Sequence, residues 1–320
     1  MSAGEMGVRS NPANSAASKT PITLAVPYHS GFELLLVTLR SIASQRHGET
    51  RALLCDDSPG GLTEQQLAAM HALFPAGRPL SVLRNPVNLG MARAWNRCLD
   101  EAESDLVTLV HGDDELDPEY ARAMVELAER RPDATAMFSG ARIIGQSGQS
   151  TLSFPDLYKE LLIPAHDREL LVQGDRGLSS LLRGNYIFCP SVCYRKSRLG
   201  DVRFDPRFRM VLDFDLTTRL LLDGHSLVGV PKRRLYRYRR HEQNATQHLT
   251  KELTRFREES DLYLAIAQRC RELGYGRSER KAQQRRIIAL NLLFCMVRDA
   301  GQREWRDLAQ KSALFRELFL

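Results

Sequence analysis

No apolar run in the sequence reaches the length of a membrane-spanning helix, and the first 20 residues lack the apolar centre of a signal peptide. Both absences point to a protein made and kept inside the cell, cytoplasmic or peripheral on the inner face of its membrane. Cysteine is scarce, six in 320 residues with no C-x-x-C pair, which excludes a disulfide scaffold and fits a reducing compartment. Cys189 and Cys193 are four apart, yet no Cys/His pair with zinc-site spacing follows, so both read as small buried hydrophobes. There is no recognition-helix motif and no interleaving of aromatics with basic residues, so nucleic acid is not an expected partner. Large apolar side chains are almost absent from residues 1–20, which cannot offset the entropy of ordering, and a disordered leader is predicted there.

What is present is the composition of a globular protein, 43% hydrophobic and 26% charged, with length for a large core. The net charge of +6 favours anionic partners, and much of the arginine excess lies after residue 230. Short apolar runs alternate with amphipathic segments from residue 21 onward. Strands are predicted at Ile22–Val26, Ala52–Cys55, Leu80–Leu83, Leu106–Val110 and Ala134–Phe138. Between them, Leu35, Leu39 and Ile42 form one helical face, and further helices are expected from Thr63, after Gly90 and from Pro118. This alternation predicts an α/β fold, a mostly parallel sheet covered on both sides. Residues 145–184 read as an insertion that shapes a pocket. A helix follows at Leu212–Leu222, then two strands at Leu227–Val230 and Leu235–Tyr238 with Lys232-Arg233-Arg234 as a solvated turn, then a helical C-terminal region.

The most informative stretch is Leu106–Val110 followed at once by His111-Gly112-Asp113-Asp114. Ligands of open α/β sheets bind beyond the carboxyl ends of the strands, where these acids fall. Asp117 suffices to cap a helix at Pro118, so capping leaves Asp113 and Asp114 unexplained. Two adjacent carboxylates repel, and a divalent cation shared with phosphate oxygens relieves them.

Six segments stand in order along the chain: Leu24-Ala25-Val26-Pro27-Tyr28-His29; Cys55-Asp56-Asp57-Ser58; Asn88-Leu89-Gly90 with Ala94 and Asn96; His111-Gly112-Asp113-Asp114; Leu212-Asp213-Phe214-Asp215-Leu216 with Arg219; and Tyr238-Arg239-Arg240-His241. Together they resemble glycosyltransferase family 2 over residues 21–245. The resemblance implies a GT-A-like α/β/α sandwich over 21–245, with 246–320 as a helical appendage, and an inverting enzyme using a UDP- or dTDP-sugar. It implies nucleotide contacts from Pro27, Tyr28, His29, Asp57, Asn88, Gly90, Asp113 and Asp114, with Asp57 at the uracil or thymine ring. Asp114 is the implied ligand of Mn²⁺ or Mg²⁺, and Arg240 or His241 the implied partner of the diphosphate or metal.

Asp213 is the implied base that takes the proton of the acceptor hydroxyl, whereas Asp215 reads as structural. The acceptor would be a glycan or a lipid-linked glycan in surface polysaccharide assembly. The arginine-rich C-terminal helices fit either an anionic membrane or a bundle or homodimer. His111 and Leu212 stand where the family pattern carries acids. A catalytically silent protein that binds a nucleotide sugar or a partner is therefore the alternative.

Overall fold

The computed structural model describes residues 18–151, 161–163, 169–240 and 253–320. His241 and most of the leader expected over residues 1–20 lie outside the described residues. Strand β1 (Ile22–Tyr28) pairs in parallel with β2 (Thr50–Asp56) and β4 (Leu106–Leu109), and β2 pairs with β3 (Leu80–Arg84). Helices α1 (Phe32–Ala43), α2 (Glu64–His71) and α3 (Met91–Glu101) join these strands. All four strands point the same way, so the loops that follow β1, β2, β3 and β4 share one edge. Leu24 and Val26 face one core while Ala25 faces the other, as a strand covered on both sides requires. The predicted α1 face is present, with Leu35, Leu39 and Ile42 fully buried. Each such burial contributes about 1.5–3 kcal/mol, which holds the helix on the sheet.

Beyond β4 the sheet becomes mixed. The chain continues through β5 (Glu115–Leu116), α4 (Tyr120–Arg130), β6 (Ala136–Ile144), β7 (Leu170–Gln173), α5 (Gly174–Leu181), β8 (Val192–Arg195), α6 (Lys196–Leu199), α7 (Leu212–Leu222) and β9 (Ser226–Arg239). The sheet order is β3-β2-β1-β4-β8-β6-β9-β5, and β7 also pairs with β9. Strand β8 runs antiparallel between β4 and β6, whereas β6 and β9 are parallel. A 3₁₀ turn at Cys189–Ser191 precedes β8. Pro190 has no N–H to give a ladder, and Ser191 Oγ donates to the Ser139 and Phe188 carbonyls. Helix α4 begins two residues after Pro118, and the Asp117 carboxylate accepts the Glu119 N–H at 3.0 Å.

The solvated turn expected at Lys232-Arg233-Arg234 is not a turn. β9 is one 14-residue strand, and the register with β6 jumps from Ser139↔Val230 to Gly140↔Arg234. Residues 231–233 bulge out of the ladder, where Pro231 needs no hydrogen-bond partner. A Cβ on Gly140 would lie 2.0 Å from the Pro231 carbonyl oxygen, so the bulge requires glycine opposite it.

Among the described residues, four C-terminal helices, α8 (Thr254–Leu273), α9 (Gly276–Gln284), α10 (Arg286–Gln302) and α11 (Trp305–Phe319), follow β9. Phe256, Tyr263, Ile266, Ile288 and Leu314 join α3, α5 and α7 in one apolar core. The Tyr263 and Phe214 rings sit 5.8 Å apart, so α8 is packed directly on α7. The second core, on the other face of the sheet, belongs to α1 and α4.

Candidate functional site

Two linked groups of side chains occupy the loop edge of the parallel strands. In the first, Asp57 follows β2 and is only 5% exposed. Its Oδ1 accepts from Asn85 Nδ2 at 2.6 Å and Leu89 N at 2.7 Å, while Oδ2 accepts from Asn88 Nδ2 at 3.1 Å and Gly90 N at 3.2 Å. Four donors on one carboxylate make Asp57 the organiser of the 85–90 loop. The Asn88 amide also reaches the Asp57 carbonyl at 2.8 Å and lies 3.2 Å from His29 Nδ1. His29 and Asn88 are exposed, and Pro27 is partly so. Asp56 is spent locally, with Oδ1 accepting from Ser58 and Oδ2 from Leu62 N. The carboxylate expected at the base is thus engaged by protein, and the outward groups here are Asn88 and His29.

The second group follows β4. Ligand atoms of His111, Asp113 and Asp114 lie within 4.8 Å of one another. Tyr28 joins the two groups, because a Cβ on Gly112 would meet its ring at 3.7 Å. Asp114 is fully buried. Its Oδ1 accepts from Arg239 N at 2.7 Å and its Oδ2 from the Tyr236 hydroxyl at 3.0 Å, while its carbonyl accepts from Thr38 Oγ1 at 2.7 Å. Tyr236 OH also accepts the His111 N–H at 3.2 Å. The Arg239 side chain donates to the carbonyls of Asp113 and Gln146, both at 2.8 Å, and pairs with Glu115. Pairing of β5 with β9 places Tyr236 opposite Leu116, which locks this stretch from behind.

Burial first, and then the charge of Asp113, push the Asp114 carboxyl well above its ordinary range against the opposing Arg239 and Tyr236 hydrogen bonds. His111 Nδ1 lies 3.6 Å from Asp114 Oδ2, and its ring lies 5.4 Å from that of Trp95. His111 Nε2 is buried with no hydrogen-bond partner among the described residues. One imidazole and two carboxylates fit a divalent cation, and the orphaned ring nitrogen beside them shows an imidazole not already spent on the protein. Asp113 is partly exposed, whereas Asp114 is buried with its two oxygens serving Tyr236 and Arg239.

Asp213 lies in the first turn of α7 and is partly exposed, whereas Leu212 is core and Asp215 is buried against Arg219, whose Nε and Nη2 approach Asp215 Oδ2 at 2.9 and 2.7 Å. Burial first, and then the charges of Asp213 and Asp114, push the Cys189 thiol well above its ordinary range. Arg240 continues from β9 with its N–H on the Ile144 carbonyl at 2.8 Å. The segment before α7 is held from the C-terminal region. Glu258 on α8 accepts from Arg209 N at 2.9 Å, Met210 N at 2.7 Å and Val211 N at 3.3 Å. Three successive amides on one carboxylate form an anion nest.

Sequence reasoning missed Asn85, Tyr236, Arg239 and Glu258. Arg239 and Tyr236 lie in a segment that was singled out, but only strand phase tells which side chains turn inward, and the bulge hides that phase. Glu258 carries no local signal.

A glycosyl transferase family 2 model matches residues 23–191, more than half of the chain. The uncharacterized protein MT1568 of Mycobacterium tuberculosis is 34% identical over 101 residues, 32% of this chain and 30% of that protein. The uncharacterized protein Mb1547 of Mycobacterium bovis is 27% identical over 212 residues, 65% of this chain and 56% of that protein. The chain therefore spans less than two thirds of either relative. In fold it is similar to S. aureus TarS 1-349 in complex with UDP-GlcNAc, with a TM-score of 0.60, 16% identity, and 83% and 72% of the two chains covered. It is also similar to the mannosyltransferase PcManGT from Pyrobaculum calidifontis in complex with GDP-Man and Mn²⁺, with a TM-score of 0.58, 12% identity, and 97% and 90% covered. On the family match, and with the GT-A-like fold these likenesses show, the chain belongs to glycosyl transferase family 2.

Proposed function

We propose that the protein moves a sugar from a nucleoside diphosphate to an acceptor hydroxyl with inversion at the anomeric carbon. The observation that carries this reading is the convergence on one sheet edge of the His29, Asp57 and Asn88 group with the His111, Asp113 and Asp114 group. Asn88, His29, Pro27 and Tyr28 would face the base, with Asp57 holding them in place and Gly90 closing the loop. The structures of TarS with UDP-GlcNAc and of PcManGT with GDP-Man and Mn²⁺ support a nucleotide-sugar donor of this general type. We assign UDP or dTDP as the nucleotide, and polysaccharide assembly in the cytoplasm as the setting.

His111 and Asp113 would hold a divalent cation from the open side and Asp114 from the closed side. The carboxylates suit Mg²⁺ or Mn²⁺, and the imidazole favours Mn²⁺. Such a cation, when bound, offsets the negative charge that develops on the departing nucleoside diphosphate. Arg240, one residue beyond the strand that clamps Asp114, adds positive charge there. Asp213 takes the proton of the acceptor hydroxyl as that oxygen attacks the anomeric carbon, and the bond from that carbon to the diphosphate breaks in the same displacement.

For the acceptor, we read a lipid-linked glycan. The support is α10, where Leu290, Leu293 and Val297 are exposed on one face and Arg286, Arg298 and Arg303 are exposed near it. No helix of the described residues is long and apolar enough to cross a membrane.

The test is a thermal-shift screen of nucleotide sugars with and without Mn²⁺, followed by acceptor-dependent release of free nucleoside diphosphate. Binding that is indifferent to chelator would remove the metal from this reading. Tight donor binding with no release across acceptors would favour the silent binding protein, for which the buried Leu212 in place of a second acid speaks.

A further inference from the structure

Away from the sheet edge, α5 and α9 flank an open cavity of about 470 Å³ lined by Arg176, Arg183, Arg277, Arg280 and Lys281 together with Ser179 and Ser180. No acid is among its lining residues. The two acids nearest in sequence are engaged elsewhere. Asp175 accepts from the Arg277 and Ser278 amides at 3.1 and 2.8 Å, and Glu279 Oε1 accepts from Arg271 Nε at 2.8 Å. Among the described residues, none of the four guanidinium groups of Arg176, Arg183, Arg277 and Arg280 has a carboxylate partner. Lys281 donates to Ser179 Oγ at 2.8 Å and to the Ser179 carbonyl at 3.1 Å. Burial first, then the nearby Arg183, hold its ammonium below the ordinary lysine range.

Five cations around one concavity repel each other; the charge of Asp175 acts on Lys281 and Arg277 and offsets part of that repulsion, and an anion from outside would relieve the rest. The walls do not need the ligand in order to form. Ser278 Oγ donates to the Asp175 carbonyl at 2.9 Å, and Asp175 caps α9, so the two helices are already fastened to each other. The volume falls in the range of small-molecule sites. Planar guanidinium forks match phosphate oxygens in pairs, whereas a single carboxylate would leave most of the positive charge unmatched.

We propose that this cavity is a second anion site, distinct from the one at the strand ends, which binds a ligand carrying two or more phosphates. It is independent of the glycosyl-transfer reading. The ligand is either a soluble phosphate-bearing compound or the phosphorylated headgroup of a lipid.

The full chain is titrated calorimetrically with inorganic pyrophosphate in the presence of chelator, which suppresses metal-dependent binding at the strand ends. The variant is Arg183→Gln with Arg280→Gln, two exposed positions whose change leaves the core intact. Loss of each guanidinium partner is expected to weaken binding about tenfold, while Asp113→Ala binds pyrophosphate as the wild type does. Sedimentation with phosphatidylcholine vesicles containing phosphatidic acid separates the sources. Vesicle binding that the double substitution abolishes identifies a lipid headgroup, and pyrophosphate binding without such vesicle binding identifies a soluble ligand. Wild-type heats no larger than those of chloride at equal ionic strength would overturn the site, as would unchanged pyrophosphate affinity in the folded double variant.

Discussion

The Tyr236 hydroxyl donates to Asp114 Oδ2 at 3.0 Å across 122 residues of sequence. Burial, then the Asp114 charge, hold that phenol well above its ordinary range, so it stays a donor throughout the working pH range. Tyr236→Phe removes the donor and leaves the carboxylate half satisfied. A loss of about 1–3 kcal/mol in unfolding free energy is expected, measured by urea denaturation. An unchanged midpoint would mean that the carboxylate finds another donor.

Asp213→Asn keeps the volume of the side chain but cannot accept a proton. Nucleotide affinity should persist while transfer falls about a hundredfold to ten-thousandfold, read as initial rates with a matched donor and acceptor. Near-wild-type transfer would place the base elsewhere. Cys189 offers an independent readout of the same charge. With Asp213 neutralised, its thiol should be alkylated faster at mildly alkaline pH, since one of the charges that raises its pKa is gone.

Glu258→Gln keeps an acceptor for the 209–211 amides but removes the charge that binds three of them at once. Hydrogen bonds to charged groups are worth about 1.5–3 kcal/mol each, so the segment leading to Asp213 should loosen. The expected signature is a lower kcat with an unchanged dissociation constant for the nucleotide, because Glu258 acts through the position of α7. Equal losses in both would point to general destabilisation.

Lys311 Nζ lies 2.5 Å from Asp299 Oδ2, and both groups are buried between α10 and α11. Burial raises the Asp299 pKa, but Lys311 and Arg298 outweigh it and hold the carboxyl below its ordinary value. A depressed acid contributes stability that is full above its unfolded pKa and is lost as pH falls through the folded one. The C-terminal helices should therefore lose stability below about pH 4, the ordinary aspartate range. In Asp299→Asn that acid-dependent component of the melting temperature should disappear. Asp299→Ala should cost about 3–5 kcal/mol at neutral pH, because it strands a buried ammonium.

The parallel half of the fold was legible from the sequence because a strand buried on both faces is a continuous apolar run. The loop edge was legible because parallel strands deliver their carboxyl ends to one side. Asp113 and Asp114 were singled out on that ground, whereas Asp57 and Asn88 were singled out through the family resemblance. The partners that hold Asp114 and the α7 segment were not, since Tyr236, Arg239 and Glu258 meet their partners across 47 to 125 residues, and no local pattern encodes such a meeting. The antiparallel strands β7 and β5 are four and two residues long, too short for a periodicity to emerge.

Two register shifts against β6, one at residues 231–233 and one at Leu235, divide β9 into two stretches with separate registers, and Val228, Val230 and Tyr236 still face the same core. Ser226–Val230 is bound to β6 and β7, whereas Arg234–Arg239 is bound to the far end of β6 and to β5. Side chains alternate with a period of two, so the combined length of the two irregularities decides which face Tyr236 presents to Asp114. It acts as a vernier between scaffold and site. Changes that retune the packing of residues 226–230 leave the alignment of Tyr236 and Arg239 untouched, whereas one residue added or lost after Arg234 would turn both away from the carboxylate they hold.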